Sequence, residues 1–315
     1  MKLGILGTAD IAFRRFLPAL QKCPEITYAG VASRTPEKGE KFREAFGGQV
    51  YPSYEALLED PQIDAVYVPL PPALHWEWGR RVLLSGKHLL LEKPFTVSAA
   101  QTKDLLALAK EKDLAVHENY MFLYHSQLRW IRQQLEAGII GDLRLIRSAF
   151  GFPFRGASDF RYDRALGGGA LLDCGGYPVR LALELLGDTA CVTAARLNQG
   201  RGLEVDLYGS ATLENAEGQT AQISFGMDNS YRCELELWGS LGYLKAPRIF
   251  TAPPNLPITL EKQTQSGTET IALPEDDSFC HSIETFLSLI RQTSLRDAHL
   301  ESIRRQTELV ERIRG

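Results

Sequence analysis

Lys93 ends an apolar run, Leu89-Leu90-Leu91-Glu92-Lys93-Pro94, in which three leucines suited to burial on both faces of a sheet lead into a cation and a proline. Ligands of open parallel sheets bind beyond the carboxyl ends of the strands, so a lysine at that spot is placed to face a cofactor or a substrate. A second chemical stretch is Leu166-Gly167-Gly168-Gly169-Ala170-Leu171-Leu172-Asp173-Cys174-Gly175-Gly176-Tyr177-Pro178. Its glycines permit positive φ or close backbone approach just before a helix, and Asp173 and Tyr177 share a helical face, which pairs a carboxylate with a titratable phenol.

Further candidates cluster near the N-terminus. In Gly4-Ile5-Leu6-Gly7-Thr8-Ala9-Asp10-Ile11-Ala12, the residues Gly7, Ala9 and Ala12 stand where a dinucleotide-binding turn has the small residues of its G-x-G-x-x-G/A pattern. Ala9 departs from that pattern by a methyl group where pyrophosphate must come close; Thr8, Asp10 and Ile11 complete the turn as cofactor-binding candidates. At the end of the second expected strand stand Ser33-Arg34-Thr35, with Lys38 a turn further on, in place of an acidic residue. A carboxylate would repel a 2′-phosphate, whereas Ser33 and Arg34 can bind it by charge-assisted hydrogen bonds, so NADP(H) is expected rather than NAD. In Pro69-Leu70-Pro71-Pro72-Ala73-Leu74-His75 the prolines fix an extended loop, and His75 opens a helix with a cofactor-loop role rather than acid–base work. Leu70 of this loop, Tyr54 and Glu92 are the remaining cofactor-binding candidates.

Positioning these residues requires alternating elements. Apolar strands are expected at 3–6, 26–32, 65–68, 88–91 and 115–118, with helices at 11–22, 36–46, 54–58, 74–85 and 99–112. Such alternation predicts a parallel sheet with helices on both faces, an N-terminal Rossmann NADP-binding domain over 1–120. Beyond it the rhythm changes to a helix at 127–137, then strands at 143–151, 191–198, 204–214, 218–227, 232–239 and 242–245. An α/β fold follows, whose C-terminal α+β domain, 121–315, is built on a largely antiparallel open-faced sheet for substrate binding and oligomerisation. Two helices fill 278–314, where Leu300, Ile303, Val310 and Ile313 form a stripe that should pack back on the body.

Composition excludes several classes. The 315 residues are 44% hydrophobic and 23% charged, with no apolar run near the roughly 18 to 20 residues that cross a bilayer. A net charge of −4 with scattered Lys and Arg offers no basic field for nucleic acid. The first strand starts at once and leaves no room for a signal peptide, so a cytoplasmic protein is expected. Cys23, Cys174, Cys191, Cys233 and Cys280 contain no C-x-x-C pair and read as reduced thiols, and the dispersed histidines predict no metal site.

Taken together, these residues resemble the Gfo/Idh/MocA family of NAD(P)-dependent oxidoreductases, marked by an N-terminal dinucleotide fold, a Glu-Lys-Pro motif and a Gly-rich helix start with a downstream Asp. Tyr177 replaces the His often found there, and Tyr177-Pro178-Val179-Arg180 looks like the nucleotide-sugar ketoreductase branch. So do Glu118-Asn119-Tyr120-Met121-Phe122, Tyr231 to Gly239, and Arg248-Ile249-Phe250-Thr251-Ala252-Pro253-Pro254. The resemblance implies NADPH-dependent reduction of a keto group, typically at C3 of a nucleotide-linked deoxysugar. It implies Lys93 and Tyr177 as the catalytic pair, Asp173 and Arg161 near the cofactor, and Tyr231, Thr251 and Arg15 at the sugar nucleotide. Hydride arriving at a ketone leaves an alkoxide, which needs a proton donor and a nearby cation. Tyr177 is the expected donor with Lys93 tuning it, and direct donation by Lys93 stays open. Two rival readings carry the same turn: a dehydrogenase of free sugars, cyclitols or dihydrodiols, and a regulatory protein that senses NADP without turnover. A homo-oligomer is expected from the family's habits.

Overall fold

The computed structural model describes residues 1–315, Pro36 by its backbone alone. The first stretch runs β1 (Lys2–Leu6), α1 (Leu17–Leu20), β2 (Thr27–Ala32), α2 (Pro36–Phe46), β3 (Gln49–Tyr51), α3 (Tyr54–Glu59), β4 (Ala65–Val68), α4 (His75–Leu84), β5 (His88–Leu91), α5 (Ala99–Glu111) and β6 (Val116–Glu118). The second runs α6 (Ser126–Glu136), β7 (Leu143–Gly151), α7 (Gly176–Leu186), β8 (Cys191–Gln199), β9 (Asp206–Glu214), β10 (Thr220–Gly226), β11 (Arg232–Gly239), β12 (Gly242–Ala246), β13 (Ile258–Thr264) and β14 (Gly267–Leu273). Helices α8 (Ser278–Arg291) and α9 (Arg296–Arg314) close the chain. Two compact units result, Met1–Tyr120 with Phe279–Arg304, and Met121–Ser278 with Arg305–Gly315.

In the first unit six parallel strands are ordered β3-β2-β1-β4-β5-β6. Strands buried on both faces read as continuous apolar runs, and Leu89, Leu90 and Leu91 of β5 are each 0% exposed. Burial of a leucine side chain stabilises by about 1.5–3 kcal/mol, so these runs fix the centre of the sheet. The order reverses between β1 and β4, a switch point whose carboxyl edge carries Gly7 after β1, Leu70 after β4, Lys93 after β5 and Asn119 after β6. Ser53 and Ser98 cap α3 and α5 by accepting from Ala56 N–H at 3.0 Å and Gln101 N–H at 3.3 Å. Leu300 and Ile303 sit in the same core as Leu105 and Val116. The stretch 279–304, which the sequence reading gives to the second domain, therefore packs with the first unit.

Two local details differ from the periodicity. The helix expected over 11–22 opens as a π turn, Ala12–Phe16, before α1, with Pro18 in the first turn of α1. Pro18 has no N–H for the turn behind it, and the ladder widens there. Strand β3 has three residues and is too short to show a period.

The second unit holds an eight-stranded sheet, β14-β13-β12-β11-β7-β10-β9-β8, antiparallel throughout except for the parallel pair β7 and β10. Along β11, Cys233, Leu235 and Leu237 are buried while Arg232, Glu234, Glu236 and Trp238 alternate outward. Helix α7 covers the inner face against β7 and β10. Strands β13 and β14, absent from the sequence reading, form an edge hairpin in which β14 is almost wholly exposed, so no buried face imprints alternation on its residues. Among the described residues no helix is long and apolar enough to cross a membrane.

Candidate active site

The candidate residues divide between the units. In the first, Gly7 has φ +92°, and a Cβ there would lie 2.8 Å from the Leu70 side chain and 3.4 Å from the Tyr54 hydroxyl. Its N–H donates to the Ala32 carbonyl at 2.9 Å, which joins the turn to the end of β2. The Ala9 carbonyl then accepts from Ala12 and Phe13 N–H at 3.1 and 3.2 Å and starts the helix. Gly7, Tyr54 and Leu70 are thus neighbours, and the Arg34 charge acts on the Tyr54 phenol. Burial pushes the Tyr54 phenol above its ordinary value, while Arg34 pulls it back. Arg34 and Lys38 are exposed; the Ser33 hydroxyl is engaged locally, donating to Thr35 O at 2.8 Å and accepting from Thr35 N–H at 3.1 Å. Asp10 is exposed and paired with Arg14, and Thr8 and Ile11 are half-buried.

His75 is completely buried, with Nδ1 2.7 Å from Pro94 O and Nε2 2.7 Å from Leu70 O. It therefore ties the loop after β4 to the loop after β5. A neutral ring can donate to only one of these carbonyls. Burial nevertheless disfavours the cation and pushes its pKa down to about 4, with Lys93 adding to the fall and the carbonyls opposing it. Lys93 is half-buried and joined to Pro94 by a cis peptide bond. The Glu92 carboxylate turns inward: its Oε1 accepts from Tyr67 Oη at 2.6 Å and Asn119 Nδ2 at 2.7 Å, and its Oε2 from Lys93 N–H at 3.3 Å. Burial raises the Glu92 pKa, with Tyr67, Asn119 and Lys93 working against the rise. Arg15 stacks over the Phe279 ring at 5.3 Å.

In the second unit the glycine run is packed against the protein itself. A Cβ on Gly168 would lie 2.4 Å from the Arg161 carbonyl oxygen, and one on Gly169, at φ +123°, would lie 2.4 Å from Asp206 Oδ1. Asp206 on β9 accepts from Leu171 N–H at 2.7 Å and so satisfies the helix start. Burial raises its pKa, with the Leu171 N–H opposing. The sequence reading passed over Asp206, which lies in a strand far along the chain and has no local signature. The helix opens as a π stretch, Leu171–Gly175, before α7. Its hydrogen bonds reach one residue further than in an α-helix, so the shared face expected for Asp173 and Tyr177 does not follow from spacing alone.

Asp173 accepts from Arg161 Nε at 3.0 Å, and Arg161 also donates to Asp159 at 3.1 Å. Burial works against the Arg161 charge, but Asp173 and Asp159 outweigh it and hold its pKa above the ordinary guanidinium value. Tyr177 is 7% exposed among Phe150, Phe122 and Phe250, with ring centroids at 5.0, 5.7 and 5.7 Å. Tyr231 and Thr251 meet through their hydroxyls at 3.0 Å. Arg248, a residue not singled out from sequence, stands 5.7 Å over the Tyr231 ring and donates to Thr251 O at 3.5 Å. Its signal was its place three residues before Thr251, in a stretch noted only for likeness. Burial raises the Tyr231 pKa, while Thr251 and Arg248 lower it.

A concavity of about 620 Å³ lies elsewhere, on the outward sheet face lined by Arg147, Gln222, Glu234, Glu236 and Lys245. Arg147 pairs with Glu236 at 3.3 Å there, and none of the candidate residues lines it. No group of metal-ligating side chains occurs among the described residues.

Comparison with known proteins finds relatives of both units. Residues 1–120 match a model described as an oxidoreductase family with an NAD-binding Rossmann fold, and residues 128–245 match the GFO/IDH/MocA C-terminal domain. The chain is 40% identical over 314 residues to a dTDP-3,4-didehydro-2,6-dideoxy-alpha-D-glucose 3-reductase of Actinomadura kijaniata, covering 100% of this chain and 95% of that protein. It is 33% identical to D-xylose 1-dehydrogenase (NADP(+)) 2 of Haloferax volcanii over 91% of this chain and 88% of the relative. Among solved structures, the 3-ketoreductase KijD10 of Actinomadura kijaniata, in complex with NADP and TDP-benzene, superposes with a TM-score of 0.96 at 40% identity, covering 100% of this chain and 97% of that one. KijD10 has also been crystallised with a tyrosine replaced by phenylalanine and with a lysine replaced by alanine or glutamate.

Proposed function

This chain belongs to the Gfo/Idh/MocA oxidoreductase family, and from that premise we propose that it reduces the C3 keto group of a nucleoside-diphosphate-linked deoxysugar at the expense of NADPH. The observation that carries the substrate class is the cluster of Arg248, Tyr231 and Thr251. It offers a guanidinium, an aromatic face and a hydroxyl to a diphosphate and its base, in a chain alike over its full length to a ketoreductase solved with TDP-benzene. Arg15 completes the proposed substrate residues.

The first unit fits NADP. Gly7 lacks the side chain that would narrow the turn after β1, and Arg34 and Lys38 stand exposed beside it without an acidic residue at the end of β2. The cofactor, when bound, supplies the hydride. The remaining work falls to the chain. Residues 7–12 and Ser33 shape the turn, Arg34 and Lys38 hold the 2′-phosphate, and Tyr54, Leu70 and His75 support the adjoining loop. Glu92 orients the segment of Lys93, and the charged pair of Asp173 with Arg161 is assigned to cofactor binding. Tyr177 gives its phenolic proton to the alkoxide oxygen, and Lys93 supplies the cation that favours the resulting phenolate. The ketone carbon gains a hydride and its oxygen a proton, so each turnover takes up one proton.

Single-turnover hydride transfer tests the roles. Loss of a general acid costs about 10²–10⁴-fold, expected for Tyr177→Phe, with Lys93→Met in the same range. A phenylalanine variant near the wild-type rate would remove Tyr177 from the donor role. Likeness to the xylose dehydrogenase keeps one alternative, oxidation of a free sugar. Competitive inhibition of NADPH oxidation by TDP supports the nucleotide reading, and turnover of free sugars unaffected by TDP sinks it. Tight NADPH binding without turnover of any keto-sugar would instead point to a sensor.

Self-association through the outward face of β11, where Trp238 is 53% exposed beside Arg147, is part of the same proposal. Sedimentation of Trp238→Glu checks it, with a shift toward monomer expected. A cytoplasmic location fits an enzyme that draws on NADPH.

A further inference from the structure

We propose that Asn119, Ser282, His117 and His299 are positioning residues for the Glu92–Lys93 segment, acting through one hydrogen-bonded chain whose donors all point toward the Glu92 carboxylate. The inference rests on the reading of Lys93 as catalytic and extends it to residues that touch neither substrate nor cofactor.

All the members lie in the first unit. Asn119 Nδ2 is 2.7 Å from Glu92 Oε1, Ser282 Oγ is 2.8 Å from Asn119 Oδ1, and His117 Nε2 is 2.9 Å from Ser282 Oγ. His117 Nδ1 is 3.2 Å from His299 Nε2, with the two ring planes tilted by only 13°. Glu92, Asn119, Ser282 and His117 are 8%, 2%, 1% and 0% exposed, so solvent cannot readily replace a lost partner.

Donor and acceptor counting fixes the direction of the chain. An ionised carboxylate only accepts, so Asn119 must turn its NH₂ to Glu92 and its carbonyl to Ser282. The Ser282 hydroxyl has one proton, and that carbonyl receives it. Ser282 Oγ is then the acceptor from His117, which must carry its proton on Nε2. A single proton is left to lie between His117 Nδ1 and His299 Nε2. If Glu92 were protonated and donated to Asn119, the amide would turn over, Ser282 would donate to His117, and the tautomer at the far end would reverse. The charge on Glu92 and the proton position on His117 are therefore one property of the chain.

The outer end reaches half-buried His299 on α9, and the middle reaches Ser282 on α8. Both helices thereby help to decide how the carboxylate beside Lys93 is held. Glu92 Oε2 accepts from the Lys93 N–H, so turning the carboxylate moves the backbone that carries the ammonium.

A double-mutant cycle on the full-length enzyme separates positioning from plain structural support. Single-turnover hydride transfer, kcat and the KM for NADPH are measured for His299→Ala, Ser282→Ala, Glu92→Gln and each pair with Glu92→Gln. Loss of one link should slow hydride transfer about fivefold, the size of one buried hydrogen bond, with KM changed by less than about twofold. Glu92→Gln should be slower still, and adding His299→Ala or Ser282→Ala to it should slow it no further. Effects that multiply overturn the proposal, as do wild-type rates in Glu92→Gln or in both single links. His299 is only half-buried and its variant should fold, whereas Ser282→Ala is tested beside it in case the outer link proves silent. Lys93→Met at the wild-type rate would overturn the catalytic reading and this inference together; a dead Lys93→Met with multiplicative links overturns this inference alone.

Discussion

Two glycine-bearing turns, one in each unit, use the same residue for opposite ends. At Gly7 the missing Cβ would meet the far end of the Leu70 side chain, which can move, and the positive φ swings the chain from β1 toward its helix. At Gly168 and Gly169 the missing Cβ atoms would meet a backbone carbonyl of Arg161 and the carboxylate of Asp206, which are fixed by their own hydrogen bonds. One turn is bounded by side-chain ends that can move, which suits the cofactor role proposed for it; the other is filled by fixed protein atoms and holds the helix that bears Tyr177. Glycine content alone does not distinguish a cradle from a joint.

The largest effect expected from this contrast is for Gly168→Ala. A carbonyl at 2.4 Å cannot yield locally, and overpacking of this severity should cost about 3 kcal/mol, lowering the thermal midpoint by on the order of 10 °C. A midpoint near wild type in calorimetry would break the distinction between the turns. Asp206→Ala removes the cap on Leu171 N–H and should cost about 1–2 kcal/mol, with kcat falling as the helix start loosens. The folded pKa of Asp206 is raised above 3.8, so its contribution to stability is present below that value and is lost as pH rises through the folded pKa. Urea unfolding across that range should show this loss in the wild type and not in Asp206→Asn.

Gly7→Ala should behave in the opposite way. Isothermal titration is expected to show NADPH affinity weakened about tenfold, equivalent to 1.4 kcal/mol, while the midpoint falls by only a few degrees, about what one strained φ costs. An unchanged affinity would mean that this turn, too, is a joint. The smallest effect on folding is expected for exposed Arg34. Arg34→Ala should leave the midpoint unmoved and cut kcat/KM for NADPH about tenfold, with little change for NADH.

Much of the first unit was legible because its signals are local. Continuous apolar runs such as Leu89-Leu90-Leu91, set between helical stretches, read as central parallel strands, and the helices between them follow from their own periodicity. The edge hairpin of β13 and β14 left no such trace, since an edge strand with little burial imposes no period on its side chains. Glu92 was read as a cofactor residue from its place beside Lys93, yet its oxygens are taken by Tyr67, Asn119 and the Lys93 N–H. Asp206 escaped notice because its partner, the Leu171 N–H, belongs to a helix start 35 positions away, and Arg248 because its contact with the Tyr231 ring reaches back across two strands.

The sequence by itself determined the alternation of strands and helices, the dinucleotide turn at Gly7, the cations after β2 in place of a carboxylate, and the presence of Lys93 and Tyr177 in two recognisable motifs. Each is written in neighbouring residues, where periodicity, propensity and backbone conformation act over a few positions. Only the tertiary structure decided that Asp206 caps the Gly-rich helix, that His75 is buried between the carbonyls of two loops, and that Ser282 and His299 reach Glu92 through Asn119 and His117. Those hydrogen bonds join residues up to 182 positions apart, and a bond of that kind has no period, no spacing and no local preference to reveal it before the chain has folded.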